Sequence, residues 1–513
     1  MQIQESGSIG LWVRLHSRKL VIVAGMLCLA TAASAVVVIP NLFPFLDPTG
    51  IVSTYNTAGP IVENTPFFQS LGTNGRSCAT CHIAGNAMGL STQNIQQRFV
   101  MTRGQDPLFA AFDGANCPNT SSSDPETHSL LLKNGLIRIP IQLPATTQFT
   151  IRAVVDPYGC AIVTDPVSGL ETVSVYRRPL PTTNLKFLST IMFDGRETIA
   201  PLNNTETFQA NLISDLMHQS VDATTGHAQA TVPPTMEQQT AIVNFELGLS
   251  SAQLADGRAG SLRDYGALGG ARNLSDASYY PGINDTLGAD PTGAKFNPTA
   301  MTLFSSWENI KADNAWDRAT IEARQDIAAG ETLFNSRALT IANVRGLNDN
   351  PALATALGTT VPIASFPGTC TTCHDTPNVG DHSLPLPLDI GTGHDSAQES
   401  DTEIANGLAQ LSFPRVPVYE ITGCPNPFAA AGQPSTPYVI YTTDPGKGLV
   451  TGLCGDVNRT KGPVLRGLAA RAPYFHNGAA RDLNEVLNFY NQRFQMNLTD
   501  KEKSQFIAFL NSL

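Results

Sequence analysis

Two pentapeptides, Cys78-Ala-Thr-Cys-His82 and Cys370-Thr-Thr-Cys-His374, decide how this chain is organised. In such a C-x-x-C-H sequence both thiols can bond to one porphyrin, and the histidine that follows can ligate its iron. Zinc is the alternative, but zinc sites usually combine two cysteine pairs that are close in the sequence. A redox-active dithiol needs no adjacent histidine. We therefore predict two covalently bound hemes c, held by Cys78, Cys81, Cys370 and Cys373 and ligated by His82 and His374.

The other cysteines indicate the compartment. The chain has nine cysteines, of which four belong to the two motifs and Cys28 lies in an apolar N-terminal run. The remaining four form two neighbouring pairs, one in each half of the chain, so we predict the disulfides Cys117–Cys160 and Cys424–Cys454. Four free buried thiols are the alternative. Disulfides form in oxidising compartments, which favours a protein that is exported from the cytoplasm.

The N-terminal segment agrees with export. Arg14, Arg18 and Lys19 precede an apolar stretch that runs from residue 20 to residue 39. Ala33-Ser-Ala35 is typical of a signal-peptidase site, but the apolar run is also long enough to span a bilayer. We expect residues 1–39 to be a cleaved signal peptide or an uncleaved membrane anchor, and either one places the rest of the chain in the periplasm.

Length and charge limit the possible classes of protein. With 513 residues the chain is long enough for two or three domains, and its net charge of −11 argues against a nucleic-acid partner. We predict a mainly α fold with two cytochrome c-like heme domains, at residues 40–250 and 318–513. A long linker rich in Gly, Asp and Pro joins them at residues 251–317. Membrane contact is expected only through a possible N-terminal anchor.

Local patterns supply the elements of these domains. Residues 136–141 and 149–155 alternate in part as strands do, which predicts a β-rich insertion at 104–176 within the first heme domain. Residues 235–249 and 321–334 are predicted helices. Two capping-box sequences, Asp482–Glu485 and Thr499–Glu502, predict the starts of two further helices.

Three segments resemble a known superfamily. They are Ser77–His82, Arg177–Thr182 followed by Phe193-Asp-Gly-Arg196, and Gly462–Gly478. Together they resemble the bacterial diheme cytochrome c peroxidases and the related methylamine-utilisation (MauG-like) diheme enzymes, over most of residues 60–250 and 320–513. The resemblance implies an oxidoreductase that reduces hydrogen peroxide, or uses it or another small oxidant, at the N-terminal heme. Electrons would come from a small periplasmic donor protein through the C-terminal heme.

Two other functions stay open at this point. A diheme electron-transfer cytochrome without catalysis would share the same motifs, and so would a diheme oxygenase or protein-modifying oxidase. The residue between the hemes is Trp in characterised relatives of the superfamily, whereas Phe193 stands there in this chain. Phenylalanine is far harder to oxidise, so a relay through this residue is not expected.

The resemblance also suggests ligands beyond the two proximal histidines. Tyr490, 14 residues after His476, matches the sixth ligand of the C-terminal heme. Met496 is a rival ligand, and Tyr490 packing on the face of its helix is the third reading. A phenolate stabilises ferric iron, whereas a thioether raises the potential. His476 itself is expected near the C-terminal heme without ligating iron.

Several residues are candidates around the N-terminal heme. His227 is predicted as the distal catalytic acid/base, with a role as resting-state ligand, or no role, as the alternatives. His218 and Met88 are weaker candidates for a place at this heme. His128, His382 and His394 lie in polar loops and are expected on the surface or behind other ligands.

Calcium is a possible further cofactor. Relatives hold a calcium ion between the two domains through an Asn and nearby carbonyl groups. Here Pro179 takes the Asn position and Arg471 occupies one carbonyl-donating position, which disfavours a cation.

Overall fold

The computed structural model describes residues 36–118, 120, 123–377, 379–380, 382–428 and 437–513. The predicted signal peptide or anchor, with Cys28 in it, lies almost entirely outside the described residues. Within the described ranges, no helix combines the length and the apolar character that crossing a membrane requires.

Helices occur in both halves of the chain. They are α1 Thr92–Thr102, α2 Ala111–Gly114, α3 Ser129–Asn134, α4 Phe208–Gly226, α5 Met236–Gly248, α6 Ala271–Ser275, α7 Arg318–Ser336, α8 Pro351–Ala356, α9 Thr402–Leu408, α10 Gly448–Thr451, α11 Leu483–Arg493 and α12 Asp500–Asn511. The predicted helices at 235–249 and 321–334 correspond to α5 and α7. Both predicted capping sites are also confirmed, since Asp482 accepts from the amide of Glu485 and Thr499 accepts from that of Glu502.

The strands are distributed along the whole chain. They are β1 Val38–Ile39, β2 Phe45–Asp47, β3 Gly50–Asn56, β4 Ile61–Val62, β5 Ile137–Gln142, β6 Thr150–Val155, β7 Ile162–Thr164, β8 Glu171–Arg177, β9 Leu249–Asp256, β10 Gly260–Ser261, β11 Leu339–Ile341, β12 Phe366–Gly368, β13 Val418–Pro425 and β14 Pro437–Thr442. They form sheets of the order β1-β4, β10-β9-β3-β2, β11-β12, β14-β13-β6 and β5-β8-β7.

The prediction of a mainly α fold is wrong. The fold is mixed, with 33% helix and 16% strand in five antiparallel sheets. The strand β9 illustrates the reason: its residues from Leu249 to Gln253 are all buried, so the alternation of polar and apolar residues that marks a half-exposed strand is absent. It also follows α5 directly, and its partner β3 lies near the beginning of the described chain.

One sheet joins the two halves of the chain. The strands β5 and β6 lie where the alternating pattern predicts them, but they belong to different sheets. The strand β6 pairs with β13, and Ile151 and Ile421 stand opposite one another with both side chains buried. An ion pair between Arg152 and Glu420 spans the same two strands at 2.6 Å. The β-rich insertion is therefore held against the C-terminal half.

The main core of the C-terminal half includes part of the predicted linker. Phe304 and Trp307 are fully buried, and their rings are in contact with 5.1 Å between centroids and a tilt of 32°. They pack with Ile327 and Phe334 of α7 and with Phe509 of α12. Part of residues 251–317 is thus packed into this core.

The four remaining cysteines lie at disulfide distance in the two predicted pairs. The sulfur atoms of Cys117 and Cys160 lie 2.23 Å apart, and those of Cys424 and Cys454 lie 2.06 Å apart. The second pair links the strand β13 to the turn that follows α10.

Candidate functional site

Each C-x-x-C-H motif begins in a short 3-10 turn with the same cap. Ser77 precedes the turn Cys78–Thr80, and Thr369 precedes the turn Cys370–Thr372. In both, the backbone amide of the capping residue donates to the threonine hydroxyl three residues later, at 3.0 Å. This reciprocal capping fixes a tight turn, which brings the two cysteines of each motif to one surface.

The first motif lines a large cavity. The cavity holds about 1530 Å³ of space between atoms, part of it open to solvent, and Cys78, Cys81 and His82 form part of its wall. Apolar residues of the segments 185–192 and 461–464 and one side of α4 form much of the remaining wall. His227, immediately after α4, also lines it.

The second motif lines a cavity of the same kind. It holds about 1070 Å³, and Cys370, Cys373 and His374 lie in its wall. Most of the other lining residues are apolar and come from the C-terminal core, among them Phe334, Leu487 and Phe506. The two cavities share one part of the chain, because Val464 lines the first whereas Pro463 and Leu465 line the second.

The two motif histidines have matching environments. The Nδ1 atom of His82 donates to the carbonyl of Met88 at 3.2 Å, and that of His374 donates to the carbonyl of Gly380 at 3.2 Å. Burial lowers the pKa of each imidazole to about 4, so both are neutral. A neutral imidazole whose Nδ1 carries the proton has its Nε2 lone pair free to bind a metal.

The donor sets fit heme better than zinc. Each cavity offers two thiols and one imidazole, one ligand fewer than the four of a structural zinc site. Both cavities are much larger than a bound ion needs, and their walls are largely apolar, as a porphyrin requires. The cysteines and histidines of both motifs would hold the two hemes, with thioether bonds to the cysteines and iron bound to the histidines.

Both predicted sixth ligands line the second cavity. Tyr490 lies on α11 among the rings of Phe475, Phe489 and Phe494, and Met496 follows that helix. Burial raises the pKa of the Tyr490 phenol above its usual range. A phenol in such a place ionises only with a strong partner such as a metal cation. The choice between Tyr490 and Met496 stays a prediction.

His227 is held by a buried acid that the sequence analysis missed. Its Nδ1 atom donates to Asp113 at 2.5 Å, and Asp113 also pairs with Arg76. Burial opposes ionisation of Asp113, but the hydrogen bond from His227 and the charge of Arg76 hold its pKa below the usual value. Because an ionised carboxylate only accepts, it fixes the proton on Nδ1, and Nε2 of a neutral His227 is then the basic atom.

The two weaker candidates for the first heme do not line its cavity. His218 bonds to Glu197 at 2.9 Å, and their ligating atoms lie within 4.8 Å of one of Asp222. Met88 is buried in a neighbouring core, and it contributes a carbonyl to His82 while its thioether is absent from the cavity wall.

Polar residues beside the first cavity form a buried network. Arg177 pairs with both Asp194 and Asp444, and all three side chains are almost fully buried. The ring of Phe193 lies 6.0 Å from that of His476, whose Nε2 is 3.6 Å from Asp444. Phe193 lines the first cavity, whereas His476 lines neither.

Three further histidines and the predicted calcium position have surroundings that the sequence does not indicate. His128, His382 and His394 are all buried, so a surface position is wrong for each. At the predicted calcium position, the carbonyl of Arg471 accepts from the guanidinium of Arg178 at 3.0 Å, while the guanidinium of Arg471 donates to the carbonyls of Val464 and Arg466. The Arg471 carbonyl thus already serves a cationic side chain of the protein, which disfavours calcium there, and calcium stays a prediction.

Comparison with known proteins gives one partial match. No family model matches the chain. Over 93 residues, 17% of its length, the chain is 34% identical to a cytochrome-c peroxidase of Denitromonas iodatirespirans. The matched part spans 25% of that relative. This similarity supports a peroxidase-like relationship for the matched segment, and no more than that.

Proposed function

We propose that this protein is a periplasmic diheme c oxidoreductase that reduces hydrogen peroxide, or uses it as an oxidant, in its first cavity. Electrons would arrive from a small donor protein through the heme of the second cavity. The observation that carries this proposal is the pair of cavities, each lined by two motif cysteines and one neutral histidine whose Nδ1 is bound to a carbonyl six residues later. The partial similarity to a cytochrome-c peroxidase supports the same class.

His227 distinguishes the first cavity from the second. A heme held there by Cys78, Cys81 and His82 would supply the redox chemistry that reduction of peroxide requires. Cleaving the bond between the two oxygens also requires moving a proton from one to the other. The Nε2 atom of His227 can take that proton and return it, because Asp113 keeps the other nitrogen protonated. The described lining of the second cavity offers Tyr490 and Met496 as ligands and no comparable base.

Peroxide also needs access to His227. The imidazole is 37% exposed, while Asp113 behind it is 1% exposed. The base is therefore reachable from solvent, and its orienting partner is shielded from it. Arg76 secures Asp113 from the other side and donates to the carbonyls of Pro107 and Leu108, which ties the base to the loop before α2.

The test begins with the cofactors and then measures the reaction. The chain is produced with a working heme c maturation system, and the denatured protein is weighed by mass spectrometry. Two covalent hemes are expected; Cys78→Ala should weaken the attachment of one of them and Cys370→Ala that of the other, because one cysteine remains in each motif. Fewer than two hemes on the wild-type chain would overturn the proposal.

Peroxide consumption is then followed with a reduced donor cytochrome c. Rapid consumption supports a peroxidase. If the protein carries both hemes but does not react with peroxide, either fully oxidised or half-reduced, an electron carrier or an oxygenase replaces this proposal.

A further inference from the structure

A second buried acid lies in the wall of the first cavity. Glu246 is near the C-terminal end of α5 and is 6% exposed. Its Oε1 atom accepts from the hydroxyl of Thr182 at 2.6 Å, whereas its Oε2 atom is buried and has no hydrogen-bond partner among the described residues. An unpaired buried carboxylate oxygen is costly, so this group strongly favours the protonated form unless a positive charge is near.

Glu246 is connected to the histidine that we assign to the iron of the first heme. The amide of Thr182 donates to the carbonyl of Met88 at 3.0 Å, and the same carbonyl accepts from Nδ1 of His82 at 3.2 Å. One residue and one carbonyl therefore separate the acid from the imidazole. Because this path is short and buried, a change in the charge of the iron would be only weakly screened at Glu246.

No cation in the described part of the chain compensates Glu246. Burial raises its pKa to about 7, and the hydrogen bond from Thr182 opposes this only in part. The thiol of Cys78, in the 3-10 turn of the first C-x-x-C-H motif, faces Glu246. The elements packed against α5 contribute further titratable side chains that bind elsewhere: Lys186 to Ser275, Tyr55 to Arg272 and His218 to Glu197. The cavity residue Arg178 is held by the carbonyls of Leu90 and Gly135.

We propose that Glu246 takes up a proton when the heme of the first cavity is reduced and releases it when that heme is oxidised. The midpoint potential of this heme then falls as the pH rises through neutrality. One electron passes from an external one-electron reductant to the iron, and one proton passes from solvent to the carboxylate. Glu246 favours its charged form beside ferric iron and its neutral form beside ferrous iron. The net charge of the cavity therefore stays the same when the iron is reduced. This inference rests on the proposed function, because it requires a heme in that cavity.

The second cavity provides an internal reference. Among its described lining residues there is neither Asp nor Glu. The heme of that cavity is expected to change its potential much less over the same pH range. Comparing two hemes in one molecule removes differences in buffer, electrode and protein preparation.

The experiment is a spectroelectrochemical titration of the holoprotein from about pH 6 to about pH 8, a range that brackets neutrality. For the first heme, the midpoint potential is expected to fall by up to about 59 mV for each unit of pH. For one electron, this is the potential that corresponds to a tenfold change in an equilibrium constant. In Glu246→Gln, which keeps the size and the hydrogen bond of the side chain, this slope is lost. The matched control is Glu331→Gln. Glu331 is also a buried acid whose pKa burial raises to about 7, but it lies outside both cavities and should leave the slope unchanged.

The outcomes separate the two proposals. Absence of the heme at Cys78 and Cys81 by mass spectrometry contradicts the proposed function itself. With that heme attached, a flat potential in the wild-type protein, or the same slope in Glu246→Gln, overturns the role of Glu246. If the variant does not fold, the wild-type protein still decides. Its infrared difference spectrum on reduction should gain a protonated carboxyl band, and absence of that band would contradict the proposal.

Discussion

At the scale of single residues, the pair of His227 and Asp113 carries the proposed chemistry. We predict that His227→Ala slows peroxide reduction by roughly 10²–10⁴-fold while both hemes remain attached, since a positioned base contributes about that much. The matched control is His218→Ala, on the same segment of chain but outside the cavity, which should keep most of the activity. Stopped-flow measurement of peroxide consumption decides. Equal rates for the two variants would remove His227 from the mechanism.

A second prediction at this scale concerns His394. Its Nε2 lies 3.0 Å from Asp389, and its Nδ1 bonds to Glu399. The side chains of all three residues are more than nine-tenths buried. Burial disfavours the imidazolium, but the two carboxylates raise the pKa of His394 to about 10. Because the folded pKa is above the unfolded value of about 6.5, the stabilisation is complete below that pH and is lost as the pH rises towards about 10.

His394→Gln should therefore be most destabilising in mild acid. Breaking a buried ion pair typically costs about 3–5 kcal/mol. Urea unfolding at several pH values is the measurement, and the difference in unfolding free energy from the wild type should shrink as the pH increases. A difference that stays constant or grows towards alkaline pH would contradict the assigned charge.

The sequence could supply His227 but not its partner. The histidine follows a recognisable motif, whereas Asp113 is 114 residues away along the chain and stands in no motif of its own. Glu246 is missed for a similar reason. It lies in a predicted helix among apolar residues, and only the packing of Thr182 against that helix shows that it is a buried acid in a cavity wall. Motifs identify ligands that are close in sequence, and tertiary contacts supply their partners.

At the scale of elements, α11 places Tyr490 in the wall of the second cavity. Asp482 caps this helix, and Tyr490 lies two turns further on, at the cavity. We predict that Tyr490→Phe changes the spin state of that heme and raises its potential, because a phenolate ligand stabilises ferric iron. The matched control is Tyr474→Phe. Tyr474 lines the same cavity, but its hydroxyl donates to the carbonyl of Leu468.

Electron paramagnetic resonance of the ferric protein is the measurement for Tyr490. A spectrum of Tyr490→Phe identical to that of the wild type would move the ligand to Met496, and Met496→Leu would then show the change. A shift in Tyr474→Phe as large as that in Tyr490→Phe would mean that the cavity, not the ligand, is responsible.

Elements with strong local signals are those that the sequence predicts. The helices α5, α7, α11 and α12 have periodic apolar faces or capping boxes, and the structure contains all four. The strands β9 and β13 lack such signals. Each pairs with a strand that follows it closely, β10 or β14, but also with a strand far away in the sequence, β3 or β6, and no local pattern marks the distant pairing.

At the scale of the whole molecule, the sheet β14-β13-β6 joins the two halves. We predict that Ile151→Ala and Ile421→Ala each cost about 2–5 kcal/mol of unfolding free energy, as buried isoleucines do. Because these residues stand opposite one another, the double variant should deviate from additivity by about 0.5–3 kcal/mol. Urea denaturation of the double-mutant cycle is the measurement. In the control, Ile151 is combined with Ile327 of a separate core, and that pair should be additive.

Backbone hydrogen bonds to Leu513 also connect the two halves of the chain. The backbone oxygen of Leu513 accepts from the amide of Gln253 in β9 and from that of Gly467. The two regions that the sequence suggests as separate domains are thus connected by a sheet and by the hydrogen bonds to Leu513.

The alternation of Pro463, Val464 and Leu465 between the two cavities has a consequence for how the molecule can evolve. Insertion or deletion of a single residue before this stretch would shift the order in which its side chains face the two cavities. The wrong side chains would then line both cavities. Substitutions can modify either chamber by itself, but changes of length in this stretch affect both. Descendants of this chain are therefore expected to vary in residue type between Lys461 and Leu465 while keeping the number of residues constant.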